Sequence, residues 1–66
     1  MLEFNIQLMS CGHCVKTITQ AVRSIDPAAQ VQADLATHVV RVTSTAAAAR
    51  LSAAIAAVGY ANTPRG

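Results

Sequence analysis

The sequence predicts an α+β fold, in which two helices lie on one face of a four-stranded antiparallel sheet. Three observations support this: a strictly alternating segment at the N-terminus, two segments with helical spacing of apolar residues, and a pair of alternating segments between them. In chain order they give strand, helix, strand, strand, helix, strand. Right-handed crossovers then place both helices on one side of the sheet, the arrangement called ferredoxin-like.

The first strand and the first helix have the clearest patterns. Apolar and polar residues alternate without exception over residues 2–8, which predicts a strand with one buried face. From Cys14 onward the period becomes helical, with apolar positions at Val15, Ile18, Val22 and Ile25. Asp26 and Pro27 are expected to end this helix.

The middle of the chain predicts a hairpin. Residues 30–34 and residues 38–42 each alternate, and Asp34 to Thr37 between them is suited to a turn.

The second helix is predicted from an alanine-rich segment. Ser44 or Thr45 can cap it, and residues 46–49 are four alanines of high helix propensity. Its buried stripe is expected at Leu51, Ile55 and Val58.

The C-terminal segment predicts a helix end and a last strand. Gly59 suits the position after a helix. Residues 60–63 are then expected to form a short strand that Pro64 stops.

Length and composition exclude several function classes. The 66 residues are expected to form one domain, 1–66, and 14 of them are alanine, so a large enclosed substrate pocket is not expected. Aromatic residues make up 3% and the net charge is only +2, with scattered cations, which argues against nucleic-acid binding. No apolar run is long enough for membrane insertion, and no secretory signal is recognisable, so we expect a cytoplasmic protein with reduced thiols.

Two cysteines, Cys11 and Cys14, lie where the first strand passes into the first helix. The partial positive charge and free N–H groups of a helix N-terminus favour the thiolate, which is both a metal ligand and a nucleophile. Residues three apart near a helical turn have Cβ atoms about 5 to 6 Å apart, and two metal–thiolate bonds of about 2.3 Å in line span about 4.6 Å. Two such sulfurs can therefore hold one ion.

Few other side chains are available as ligands. Only His13 and His38 offer nitrogen, and the three carboxylates of the chain lie in other elements. A closed four-coordinate zinc site is therefore not expected, whereas an exposed two-thiolate site with open positions suits a soft d¹⁰ ion such as Cu(I). Ag(I), Hg(II), Zn(II) and Cd(II) also accept thiolates.

Residues 9–14, Met-Ser-Cys-Gly-His-Cys, resemble the Met-x-Cys-x-x-Cys loop of heavy-metal-associated domains, particularly bacterial copper chaperones of the CopZ type. The resemblance covers nearly the whole chain in element order and length. It implies a non-enzymatic carrier that binds Cu(I) through Cys11 and Cys14 and delivers it to a copper-transporting P-type ATPase. It also implies that Met9 lies beneath the loop and that Tyr60 lies close to the site, neither of them as a ligand.

The remaining candidate residues each have a simpler interpretation. We interpret His13 as a solvated neighbour that tunes the thiols, which becomes a ligand more readily in a metal-bridged homodimer. His38 is expected to be a surface or hairpin residue. Met9 has a soft thioether, but its place just past the strand favours core packing. Tyr60 is expected to pack beside the sheet or to shield the thiolates from water.

Two other functions stay open on the sequence. A small Cys-x-x-Cys thiol–disulfide oxidoreductase would use Cys11 as the nucleophile and Cys14 as the resolving thiol. A metal-binding regulatory domain of a transporter would have the same loop. A structural disulfide is not expected, because closing so short a loop constrains the unfolded chain very little.

Overall fold

The computed structural model describes residues 2–65, which form six elements in the predicted order. They are β1 (Leu2–Asn5), α1 (Gly12–Ile25), β2 (Gln30–Asp34), β3 (Val39–Thr43), α2 (Ala48–Ala57) and β4 (Thr63–Pro64). All strand pairs are antiparallel, and the order across the sheet is β2-β3-β1-β4. The predicted α+β fold is confirmed. Met1 and Gly66, which the predicted domain 1–66 includes, lie outside the described residues.

The core lies between the two helices and one face of the sheet. Its fully buried side chains come from β1 and the turn after it, from both helices and from β3; the largest are Phe4, Ile6, Met9, Ile18, Val22, Val40, Val42, Leu51 and Ile55. The two helices also contact each other. Within residues 2–65, neither helix is long and apolar enough to cross a membrane.

The first strand is shorter than the alternation predicts. β1 ends at Asn5, and the chain then turns, with the Met9 N–H donating to the Ile6 carbonyl at 3.1 Å. Leu8, on this turn, is 62% exposed, so its predicted place on the buried face of a strand is wrong. The alternation of apolar and polar residues does not indicate burial at Leu8, because the chain changes direction at the turn and the side chain does not reach the core.

The hairpin is close to the prediction. β2 covers the predicted residues, and the Asp34 carboxylate accepts the backbone N–H groups of Ala36 and Thr37 at 2.9 and 3.4 Å, which stabilises the turn. β3 begins one residue later than predicted, at Val39. His38 stays outside the strand because its φ is +59°, in the left-handed region.

The start of α2 differs from the prediction. The residue before the helix is Ala47, without a side-chain cap, so neither Ser44 nor Thr45 is the cap. Ser44 instead donates its hydroxyl to Asp26 at 2.6 Å and accepts the Ala46 N–H at 3.0 Å. Its hydroxyl therefore joins the loop before α2 to the end of α1.

The C-terminal segment also needs correction. Val58 lies past the last helical residue and is 43% exposed, so it does not belong to the buried stripe. Gly59 follows with a φ of +101°, which confirms a glycine at the helix end. β4 is Thr63–Pro64 instead of residues 60–63; Pro64 is tolerated because β4 is an edge strand.

The topology brings three loops to one end of the molecule. β3 and β4 both run antiparallel to β1, so both begin at the end of the sheet where β1 finishes. The loop between β1 and α1, the turn between β2 and β3, and the loop between α2 and β4 therefore lie together. This end contains both cysteines.

Candidate metal centre

The two cysteines lie on either side of the start of α1. Cys11 is the last residue before the helix, with an extended backbone (φ −152°, ψ 168°), and Cys14 lies in the first turn. Their sulfur atoms are 3.3 Å apart, well beyond a disulfide bond of about 2.05 Å, so both are free thiols. The helix start thus brings the two predicted ligands together.

The two thiols differ in their exposure. Cys11 is exposed, whereas Cys14 is only 9% exposed and packs against the core. A linear two-coordinate ion needs sulfurs about 4.6 Å apart, so the pair has to open by rotation of a side chain. The exposed Cys11 has the space for this rotation. Among residues 2–65, no third His, Cys, Asp or Glu side chain joins the pair in a metal-binding group.

The surroundings of Cys14 favour its thiolate. The pKa of Cys14 is lowered from 9.0 to about 7, and the largest cause is a hydrogen bond from the Tyr60 hydroxyl. The backbone N–H of Ser10, the Cys11 side chain and the Cys11 N–H also lower this pKa, while partial burial raises it. Because the hydroxyl bonds the sulfur, the pKa of Tyr60 is raised in turn. At neutral pH the metal-binding form of Cys14 is therefore readily populated.

Asn62 holds the loop that carries Tyr60, a role that our sequence analysis missed. Its side-chain amide donates to the carbonyl of Tyr60 at 3.1 Å and to that of Ser52, on α2, at 3.0 Å. Its side-chain oxygen accepts the Ser52 hydroxyl at 2.6 Å. An asparagine two residues after a glycine–tyrosine step is a signal for a side-chain-stabilised turn, but its bond to α2 has no local signal.

The other candidate residues lie around the pair without joining it. Met9 is fully buried beneath the loop, in agreement with core packing. His13 is exposed on the first turn of α1. His38 is a hairpin residue, as expected, but it is half-buried and its ring contacts the backbone of Met9, which the sequence did not indicate.

Replacing Tyr60 by phenylalanine is expected to raise the pKa of Cys14 from about 7 towards its ordinary value of 9.0, because the strongest stabilising contact of the thiolate is lost. A smaller fraction of Cys14 is then ionised at pH 7. The ¹³Cβ chemical shift of Cys14, followed over a pH titration under reducing conditions, measures this directly. Phenylalanine keeps the ring and removes only the hydroxyl, and an unchanged midpoint would contradict the assigned contact.

The fold and the site together define a class of protein: small βαββαβ domains with two free cysteines, one of them exposed, at the start of the first helix. Comparison with protein families identifies the chain within this class. The heavy-metal-associated domain profile matches residues 3–61, so the chain belongs to that family. A comparison with curated protein sequences found no significant match.

Solved structures agree with this assignment. A gold-binding protein is 31% identical and superposes with a TM-score of 0.92, covering 98% of this chain and 100% of its own. The copper chaperone Atx1 from Synechocystis PCC6803, in a Cu2 form, is also 31% identical, with a TM-score of 0.88 over 92% of this chain and 97% of its own. A cyanobacterial copper metallochaperone, ScAtx1, is 31% identical with a TM-score of 0.76, covering 96% of this chain and 100% of its own. The chain thus shares its fold, as well as its family, with proteins described as copper chaperones.

Proposed function

We propose that this protein is a cytoplasmic copper(I) carrier that holds one Cu(I) between Cys11 and Cys14 and passes it to a copper-transporting P-type ATPase. The observation that carries this proposal is the sulfur pair itself. One sulfur is exposed and free to rotate, and the other lies 3.3 Å away in surroundings that favour its thiolate at neutral pH. Such a pair can both hold a soft ion and present it to another molecule.

The donor set favours a monovalent soft ion. Two thiolates satisfy a d¹⁰ ion of low coordination number, whereas Zn(II) and Cd(II) prefer further donors, which the described residues do not add at this site. Cys11 is preceded by Ser10, not by a carboxylate, which also favours Cu(I). Ag(I) and Hg(II) share this chemistry and are expected to compete for the site. The copper-binding relatives support the choice of copper.

Transfer follows from the unequal exposure of the two sulfurs. A thiolate of the partner adds to the bound Cu(I) at the exposed side, and the bond to Cys11 then breaks, so the ion passes through a three-coordinate state without becoming free. The same addition by a second copy of the chain gives a metal-bridged homodimer. Exposed Lys16, on the second turn of α1, is placed to attract an acidic partner surface.

The family and the residues around the pair support a carrier over an oxidoreductase. The heavy-metal-associated domain profile matches residues 3–61. The chain has Ser10 before the pair and Gly12 and His13 between the thiols, where a thioredoxin-type enzyme usually has an aromatic residue or a proline. We therefore propose that the protein has no catalytic activity.

An anaerobic titration and a transfer experiment test this function. The reduced protein is titrated with Cu(I) against a chromophoric chelator, and we expect saturation at one ion per chain and far weaker binding of Zn(II). The loaded protein is then mixed with the isolated metal-binding domain of a copper-transporting ATPase, and copper is quantified after separation. Transfer should be faster than loss of copper to a chelator of matched affinity. Saturation above one ion, preference for Zn(II), or transfer only at the rate of free-ion release would overturn the proposal.

A further inference from the structure

His38 connects the β2–β3 turn to the start of the loop that carries the cysteines. Its backbone carbonyl accepts the Ile6 N–H at 2.7 Å, and its ring Nδ1 lies 3.0 Å from the carbonyl oxygen of Met9. A carbonyl oxygen can only accept, so Nδ1 bears the proton in this bond. The Met9 N–H donates to the Ile6 carbonyl, so His38 contacts both ends of the turn from Ile6 to Met9.

The Met9 carbonyl belongs to the peptide group that leads to Cys11. No peptide bond among residues 2–65 is cis, so the Ser10 N–H points away from the Met9 carbonyl, on the opposite side of one planar group. That N–H is directed towards the Cys14 thiol, whose pKa it lowers. One rigid peptide therefore has the His38 ring on one side and the Cys14 sulfur on the other.

Packing alone does not set the direction of this peptide. The fully buried side chain of Met9 fixes its Cα atom, but the peptide after it can still rotate about the bond from Cα to the carbonyl carbon. Rotation would turn the Ser10 N–H away from Cys14 and would change the path of the chain to Cys11. The bond from His38 opposes this rotation, and hydrogen bonding at the carbonyl also polarises the N–H of the same peptide.

We propose that His38 is a positioning residue of the metal loop, whose Nδ1–H fixes the Met9–Ser10 peptide so that Cys11 and Cys14 face one ion. This inference rests on the proposed role of the two cysteines as ligands. It assigns His38 no bond to the metal.

Because the backbone of His38 is in the left-handed region, three substitutions can change its side chain without straining the backbone. Asn, Asp and Gly all tolerate a positive φ better than other residues do, so none adds backbone strain. The Asn side-chain nitrogen occupies the position of His Nδ1 and can donate. Asp has the same shape but offers only acceptors when ionised, and Gly removes the side chain without adding charge.

Cu(I) affinity by anaerobic competition is the first measurement. We expect His38→Asn to bind within about twofold of the native protein, and His38→Gly and His38→Asp to bind about 3- to 10-fold more weakly, the usual range for one hydrogen bond. Thr37→Ala, which alters an exposed neighbour on the same turn, is the matched control and should bind like the native protein. Equal affinities in all variants would overturn the proposal, and so would a loss in His38→Asn equal to that in His38→Gly, because ring packing would then be responsible.

Hydrogen exchange of the metal-free protein is the second measurement. The Ser10 amide, which belongs to the Met9–Ser10 peptide, should exchange about 3- to 10-fold faster in His38→Gly and His38→Asp, while the slowest amides of β3 report any change in global stability. Unchanged Ser10 exchange would overturn the proposal. If the native protein does not bind Cu(I), the proposed function fails, yet this exchange result still decides whether His38 positions the peptide.

Discussion

Replacing either Cys11 or Cys14 alone by serine is expected to weaken Cu(I) binding by more than about 100-fold. Substitution of residues that only support metal ligands already costs about 10- to 100-fold, so loss of a thiolate should exceed that range. A serine hydroxyl stays protonated at neutral pH and is a poor donor for a soft ion. Anaerobic competition with a chromophoric chelator measures both variants, and the double variant should bind no more tightly than either.

The two single variants should differ in their free energy of unfolding, although Cu(I) affinity is lowered in both. Cys11 is exposed and precedes α1 without a side-chain cap, so Cys11→Ser should not lower the free energy of unfolding and can raise it by supplying a cap. Cys14 packs against the core, so Cys14→Ser places a hydroxyl there and should cost about 1 kcal/mol or more. Urea unfolding measures both values, and Ala53→Ser, on an exposed position of α2, is the control for an added hydroxyl. Native Cu(I) affinity in either variant would show that the ion binds elsewhere.

The sequence predicted those parts of the fold in which local pattern and burial agree. The alternation over residues 30–34 and the helical spacing after Cys14 describe elements with one buried face, and the structure has both. The cysteine pair was also predictable, because local geometry alone brings together two residues that lie three positions apart at a helix start. The left-handed φ of His38 had no such signal.

The features that the sequence did not indicate include two hydrogen bonds between residues distant in the chain and one local turn. Ser44 has the residue type of a helix cap, but its hydroxyl binds Asp26, 18 positions earlier. His38 bonds Met9 across 29 positions, and no local pattern indicates such a contact. Leu8 belongs to an alternating segment, but a turn closed at Ile6 exposes it. Around the candidate site, long-range hydrogen bonds therefore decide where the polar side chains lie.

Met9→Ala is expected to destabilise the protein by about 2 to 5 kcal/mol, the usual cost of truncating a fully buried large side chain. A domain of 66 residues has a total stability of about 3 to 10 kcal/mol, so this one change removes a large part of it. Urea unfolding of the metal-free protein measures the loss. Most of the effect should come from the cavity beneath the loop, because the backbone carbonyl of Met9 still accepts the bond from His38 in this variant.

Met9→Leu distinguishes core packing from metal binding. Leucine nearly conserves the volume, so the stability should fall by less than about 1.5 kcal/mol, and it has no sulfur to offer an ion. If Met9 only packs beneath the loop, this variant binds Cu(I) within about twofold of the native protein, since its backbone carbonyl still accepts the bond from His38. A loss of affinity of about 10-fold or more in a stably folded Met9→Leu protein would identify the thioether as a third ligand. The two-thiolate site would then be incomplete as described. The sulfur of Met9, which is fully buried in the metal-free protein, would have to leave the core to reach the ion.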